Sequence, residues 1–149
     1  MNTRRIKFDE LPDLLRLYSF LHLDDPMIDS ASPTVVAHWT KIYQNDHLQY
    51  FVGEEFGKII STCALTIIPN FTRGSRPYGL IENVVTDPNF RKKGHATSVL
   101  LYALSEAWRI GCYKVMLETG RKDEDTLRFY EKAGFKRGVK TAFIAYPNQ

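Results

Sequence analysis

A mixed α/β layer fold is predicted by three features of the sequence. Short apolar, β-branched runs end at Gly, Pro or Asp, and amphipathic segments at helical spacing lie between them. Taken in order these give β-α-α-β-β-β-α-β-α-β-β. With 149 residues, 44% of them hydrophobic and 25% charged, the chain fits one domain over 1–149. No internal repeat, low-complexity tract or linker divides it.

Residues 4–8 suit a first strand. Asp9 and Pro12 then open a helical run through Leu14, Leu15, Leu17, Tyr18 and Leu21. Residues 22–31, which hold Asp24, Asp25, Pro26 and Asp29, read as a loop; Ser32 and Pro33 next cap and start a second helix reaching about Gln44. Residues 48–54 and 58–68 are β-rich runs joined by Glu55, Phe56 and Gly57, a hairpin turn. The link 69–79 carries Arg73 and Arg76 among turn residues, as a surface loop or a substrate lid.

Residues 80–86 (LIENVVT) form the next strand, stopped by Asp87 and Pro88. Beyond it Ala96, Val99, Leu100, Ala103, Leu104, Ala107 and Trp108 recur at helical spacing, with Gly111 as the exit. Residues 114–118 make a compact strand, and a helix over 123–133 ends at Gly134. Residues 135–136 and 140–146 are expected to pair as closing strands.

Between the strand 80–86 and the long helix lies RKKGHA, residues 91–96. A helix start leaves backbone N–H groups unpaired at the positive end of the dipole, and a glycine admits a ligand close to the main chain. This turn is either a solvated basic loop or a cradle for a pyrophosphate. There is no GxxxxGK[ST] run and no GxGxxG, so neither a P-loop nor a dinucleotide fingerprint is present.

A net charge of +3 spread along the chain does not argue for nucleic acid or a membrane surface. The first residues lack an apolar signal region, and the chain reads as cytoplasmic. Cys63 and Cys112 read as buried thiols. His22, His38, His47 and His95 lack metal-ligand spacing, so no metal is expected, and no GxSxG marks a serine nucleophile.

Arg91, Gly94 and Ala96 meet the pyrophosphate signature [RQ]xxGx[GA], and FYEKAGF at 129–135 matches a C-terminal helix motif. Through these the chain resembles the GNAT superfamily of acetyl-CoA-dependent N-acetyltransferases, well over 80–135 and by element order elsewhere. LIENVVTDPNFRKKG, GCYKV and FYEKAGF are also similar to its glucosamine-6-phosphate N-acetyltransferase branch. The resemblance implies a mostly antiparallel sheet splayed at the cofactor, with acetyl-CoA as donor and CoA as product. It implies cofactor contacts at Val84, Val85, Thr86, Arg91, Lys92, Lys93, Gly94, His95, Ala96, Thr97 and Tyr130, and at Asp123, which stands where many members have asparagine.

Tyr130 takes the position of the family's tyrosine that faces the thioester sulfur. A phenol near pKa about 10 suits proton donation to a thiolate whose acid lies near about 8.5; the other reading is a packing aromatic. Glu82, an acid in an apolar strand, is the candidate base, or else an exposed or ion-paired carboxylate. Asn83 should point to the opposite face unless a bulge intervenes. The His95 side chain should point outward into solvent, leaving its backbone N–H for the ligand. Asp24, Asp25, Arg73 and Arg76 occupy loops that the family uses around its acceptor, and are equally readable as surface charges.

The expected activity is acetyl transfer to the primary amine of a small molecule by direct transfer in a ternary complex. An amino sugar phosphate is one acceptor to consider, and a non-catalytic acyl-CoA-binding regulatory module is the alternative. Many relatives are dimers, so a homodimer is a further expectation.

Overall fold

A computed structural model of the chain describes residues 1–147, and its order is β1 (Asn2–Arg5), α1 (Leu11–Tyr18), α2 (Pro33–Tyr43), β2 (Leu48–Glu55), β3 (Lys58–Ile68), β4 (Tyr78–Thr86), α3 (His95–Ile110), β5 (Val115–Leu117) and α4 (Glu124–Lys132). The five strands make one sheet in the order β1-β2-β3-β4-β5, antiparallel except for the parallel β4–β5 pair. No helix among the described residues is long and apolar enough to cross a membrane.

Each face of the sheet carries its own core. On one, Leu65, Ile67 and Ile81 pack against Val99, Leu100, Ala103 and Ala107 of α3. On the other, Val52, Ile59 and Val85 pack against Leu11, Leu14 and Leu17 of α1 and Trp39 of α2. Alternation along the strands supplies both sets, which is why β3 is buried over most of its length. Phe56 and Gly57 turn the β2–β3 hairpin with positive φ at both, 52° and 73°, the pair of values a tight primed turn requires.

The first strand lies further toward the N-terminus than expected. It pairs Asn2 with Glu54 through Arg5 with Phe51, and a short 3-10 turn, Phe8–Glu10, replaces its predicted end. Glu10 accepts from the Lys7 N–H at 2.7 Å and binds Arg4, which also reaches Glu54, so charge pairing ends the strand. Strand β4 begins at Tyr78, which shortens the preceding link.

The closing strands are absent. Among the described residues, 135–136 and 140–146 form no strand, and no ladder pairs them with β5. Val139, Phe143 and Ile144 are 72%, 93% and 68% exposed. A β-prone sequence becomes a strand only where a neighbouring edge completes its ladder, and here the segment runs clear of β5.

Asp87 ends β4 and fastens it to the other layers. Its side chain is 2% exposed and takes Arg16 of α1 at 2.9 Å and Lys58 of β3 at 3.2 Å, while its other oxygen caps Asn89 N–H at 3.1 Å. Arg16 also donates to the carbonyl of Ile59. Burial alone would raise this carboxyl, but the Asn89 N–H, Lys58 and Arg16 outweigh it and hold it below the ordinary aspartate range. Asp87→Asn leaves two partly exposed cations facing a buried neutral amide. It should cost about 3 kcal/mol in urea unfolding at pH 7. Because the folded pKa is the lower one, the aspartate's contribution is complete above about pH 3.9 and disappears as pH falls through the depressed value. The wild-type and variant unfolding curves should therefore converge in acid.

Candidate active site

Three elements converge where the sheet opens. Strand β4 is bonded to β3 along its length but to β5 only at Gly79, Leu80 and Ile81. From Glu82 onward its outer edge has no strand beside it, so Val84, Val85 and Thr86 border a gap. Thr86 is buried, with its hydroxyl 2.8 Å from that of Ser61 and its carbonyl accepting from Arg91 Nε at 3.2 Å. Arg91 is thereby anchored at the entrance of the basic turn.

That turn has the backbone of an anion cradle. Lys92 and Gly94 hold left-handed conformations, φ 61° and 84°, and α3 starts at His95. A Cβ on Gly94 would meet nothing within 4 Å, so its requirement is conformational and leaves the approach to the main chain open. The Arg91 N–H donates to the Pro88 carbonyl at 3.5 Å and the Ser98 N–H to the Gly94 carbonyl at 3.0 Å; between them, the N–H groups of Lys92, Lys93, Gly94, His95, Ala96 and Thr97 make no hydrogen bond among the described residues. Aligned with the α3 dipole, they form a site for negative charge. Lys93 Nζ lies 5.3 Å from the centre of the Phe90 ring, at the rim.

His95 departs from expectation. Its side chain is 7% exposed, with Nδ1 2.9 Å from Met1 Sδ and Nε2 3.3 Å from a Glu55 carboxylate oxygen. The Nε2 contact lacks hydrogen-bond geometry and leaves that nitrogen unsatisfied. The ring is enclosed because β1 starts at Asn2, which lays Met1 across the start of α3.

Tyr130 of α4 is half-buried between Phe129 and Phe135, ring centres 4.9 and 6.4 Å away. It lines a cleft of about 800 Å³ with Leu104, Met116, Leu117 and Glu118. Burial raises its phenol above the ordinary value, and the charge of Glu82 adds to this, so the group is protonated near neutral pH. Glu82 is itself raised, by partial burial first and by Glu118 second. The residue as a whole is exposed. A second cleft, about 520 Å³ around Phe71 and Arg109, holds none of the sequence-selected residues.

The remaining candidates are dispersed. Asp123 caps α4, accepting from the Thr126 hydroxyl at 2.8 Å, the Thr126 N–H at 3.0 Å and Arg121 at 2.9 Å, and these hold it down to about 2. Arg76 donates to the carbonyls of Gly111 and Cys112, each at 3.2 Å, and so closes the C-terminal end of α3. Arg73 lies exposed in the left-handed turn Thr72–Ser75, and Asp24 and Asp25 are exposed in the loop after α1.

Strict alternation sets Asn83 on the face opposite Glu82 unless a bulge intervenes, and the structure has that bulge. Between Val85, which faces Thr62, and Glu82, which faces Ala64, β4 holds one residue more than β3. The bulge sets Asn83 at φ 54°. Ile81 and Val84 both pack on the α3 side, so strict alternation fails between them. The sequence marks the spot only by an asparagine, which tolerates left-handed backbone, inside a β-branched run.

The model of the acetyltransferase (GNAT) family matches residues 11–135. Glucosamine 6-phosphate N-acetyltransferase of Trypanosoma brucei brucei is 40% identical over 86 residues, 58% of this chain and 56% of that protein. The enzyme of the same name from Arabidopsis thaliana is 36% identical over 93 residues, 62% and 60% of the two chains. The match thus spans little more than half the length of these curated relatives. A solved structure from Agrobacterium tumefaciens str. C58, described provisionally as an acetyltransferase, superposes with a TM-score of 0.92 at 38% identity, covering 99% of this chain and 100% of that one.

Glu118→Gln removes the like charge beside Glu82. The Glu82 carboxyl, followed by carbon-detected NMR titration, should then titrate at lower pH than in wild type, because only partial burial is left to raise it.

Proposed function

The chain belongs to the acetyltransferase (GNAT) family, and from that premise we propose that its 149 residues act as a single N-acetyltransferase domain. It moves an acetyl group from acetyl-CoA to the primary amine of a small molecule, by direct transfer in a ternary complex. The observation that carries this reading is the run of unengaged amides from Lys92 to Thr97 at the head of α3, beside the open edge of β4. The diphosphate of CoA suits the amides, with Arg91, Lys92 and Lys93 around it. Its pantetheine arm, which has amide donors and acceptors, suits the free edge of Val84 to Thr86 as an added strand.

The reaction needs a base, a place for developing negative charge and an acid. Glu82 takes the amine proton, directly or through water, and its raised pKa makes it a better base than an ordinary carboxylate. A backbone N–H near Val85 faces the tetrahedral oxyanion. Tyr130 gives its proton to the departing CoA thiolate. Asp123 contributes by capping the helix that carries Tyr130.

An amino sugar phosphate is the acceptor class supported by the relatives named above, and glucosamine 6-phosphate is the first amine to test. Asp24, Asp25, Arg73 and Arg76 are proposed acceptor contacts, with Arg76 needing to leave its carbonyl partners to serve. Buried thiols at Cys63 and Cys112 suit the reducing cytoplasm. The acyl-CoA-binding module is the reading that applies if the pocket fills without turnover.

Thiol release from acetyl-CoA across a panel of amines tests the proposal, and saturable CoA binding with no turnover on any amine would establish the module instead. Tyr130→Phe should lower kcat by about 10²-fold while leaving the CoA dissociation constant unchanged. Gly94→Glu should weaken CoA by roughly tenfold or more in calorimetry, through repulsion at the cradle.

We further propose a homodimer. The open edge of β5 and the exposed Val139, Phe143 and Ile144 support it, since a second copy would cover both. Sedimentation should give twice the 17.2 kDa chain mass, and Phe143→Asp should shift it toward monomer.

A further inference from the structure

The β4 bulge gathers a polar cluster that the acetyl-transfer reading has not used. Tyr18 at the end of α1 buries its hydroxyl completely and makes no hydrogen bond of acceptable geometry. Its polar neighbours are the Asn83 side chain and the Tyr50 hydroxyl, both near enough to perturb its ionisation without satisfying it. Burial keeps both phenols neutral, Tyr18 more strongly than Tyr50. Asn83 is half-buried and Glu82 beside it is exposed, so the cluster reaches the surface where β4 leaves β5.

Two costs meet at one place. A non-glycine residue at φ 54° in a strand is strained, and a buried hydroxyl without a partner is destabilising. Glycine would remove the first cost and phenylalanine the second. Strain and an unsatisfied group retained together, beside the candidate base, are the pattern of a site shaped for a ligand.

We propose that Asn83 binds and orients the acceptor amine, its carboxamide oxygen accepting a hydrogen bond from the amine N–H while Tyr18 and Tyr50 position the carboxamide. The inference rests on the acetyltransferase reading and adds the residue that aims the nucleophile. A neutral acceptor is suited to the task. A carboxylate at this position would hold the amine as its ammonium ion, which has no lone pair to attack with, whereas a carboxamide orients the amine and leaves its proton free to pass to Glu82. Tyr18 and Tyr50 are positioning residues and act only through Asn83.

The test uses the full chain with acetyl-CoA and glucosamine 6-phosphate, together with the best amine of the panel. Asn83→Gly adopts the left-handed backbone without strain, so it should fold with equal or higher Tm and bind CoA with unchanged affinity. Acceptor kcat/KM should fall by about tenfold or more, the loss of one orienting hydrogen bond to the amine. Asn83→Asp should move the acidic limb of the kcat profile, which reports the bound amine, to higher pH. Tyr18→Phe should hold or raise Tm and lower acceptor kcat/KM, leaving CoA binding intact. Wild-type acceptor kinetics in Asn83→Gly would overturn the proposal, since the backbone alone would then account for the asparagine. A lowered Tm with unchanged acceptor kinetics in Tyr18→Phe would assign that hydroxyl to the core and overturn its positioning role. Wild-type protein that binds CoA but acetylates no amine would refute the acetyltransferase reading, and this inference with it.

Discussion

Strand β4 has a neighbour on both sides only from Gly79 to Ile81. Past that point it keeps β3 and loses β5, and the rest of the candidate site follows from the loss. A half-paired strand inside an otherwise bonded sheet presents main-chain donors and acceptors along a line, at a depth where water is scarce. The residues around it are not an assortment of surface polar groups. Thr86 and Arg91 hold the far end of the gap through a carbonyl, and the bulge at Asn83 sits at its inner end. Between the two lies the length of edge that a pantetheine arm would occupy in the proposed reaction.

An open edge of this kind would twist or close unless its ends were fixed, and Asp87 fixes one of them. It is nearly inaccessible, yet it binds cations from α1 and β3 and an amide from the turn that follows. The desolvation of a carboxylate is costly, and the cost is offset only because each oxygen finds a partner. The turn that carries the unengaged amides is consequently tied to both layers of the fold. At the other end Asp123 fixes α4, and with it Tyr130, through the Thr126 hydroxyl and amide. Two aspartates thus tie down the strand end and the helix that border the candidate site.

The sequence made much of this visible, and its blind spots have physical causes. Helical spacing from Val99 to Ala107 and the β-branched runs are large, repeated signals, so α3, β2, β3 and β4 are legible. Gly94 announces the turn through a local requirement for positive φ, with Arg91 and Ala96 at fixed spacing around it. The side that Asn83 takes is not legible in the sequence, because alternation assumes one residue per rung and a bulge adds one without changing composition. His95 was hidden because its burial depends on Met1, which is adjacent in space and distant in sequence. The closing strands at 135–136 and 140–146 were over-read because propensity describes what a segment can pair with, not whether the partner is beside it.

The electrostatics of Glu82 and Tyr130 couple the proposed base to the proposed acid. Burial raises both groups, and the charge on Glu82 raises Tyr130 further. When Glu82 is ionised and ready to accept a proton, its field therefore keeps the phenol protonated and ready to donate one. In the proposed reaction, transfer of the amine proton to Glu82 removes that field and makes the phenol a stronger acid as the thiolate leaves. Glu118 shifts the balance from outside the pair, because after partial burial its charge is the second cause that raises Glu82. In the proposed reaction the order of action of these two side chains follows from the charge on Glu82.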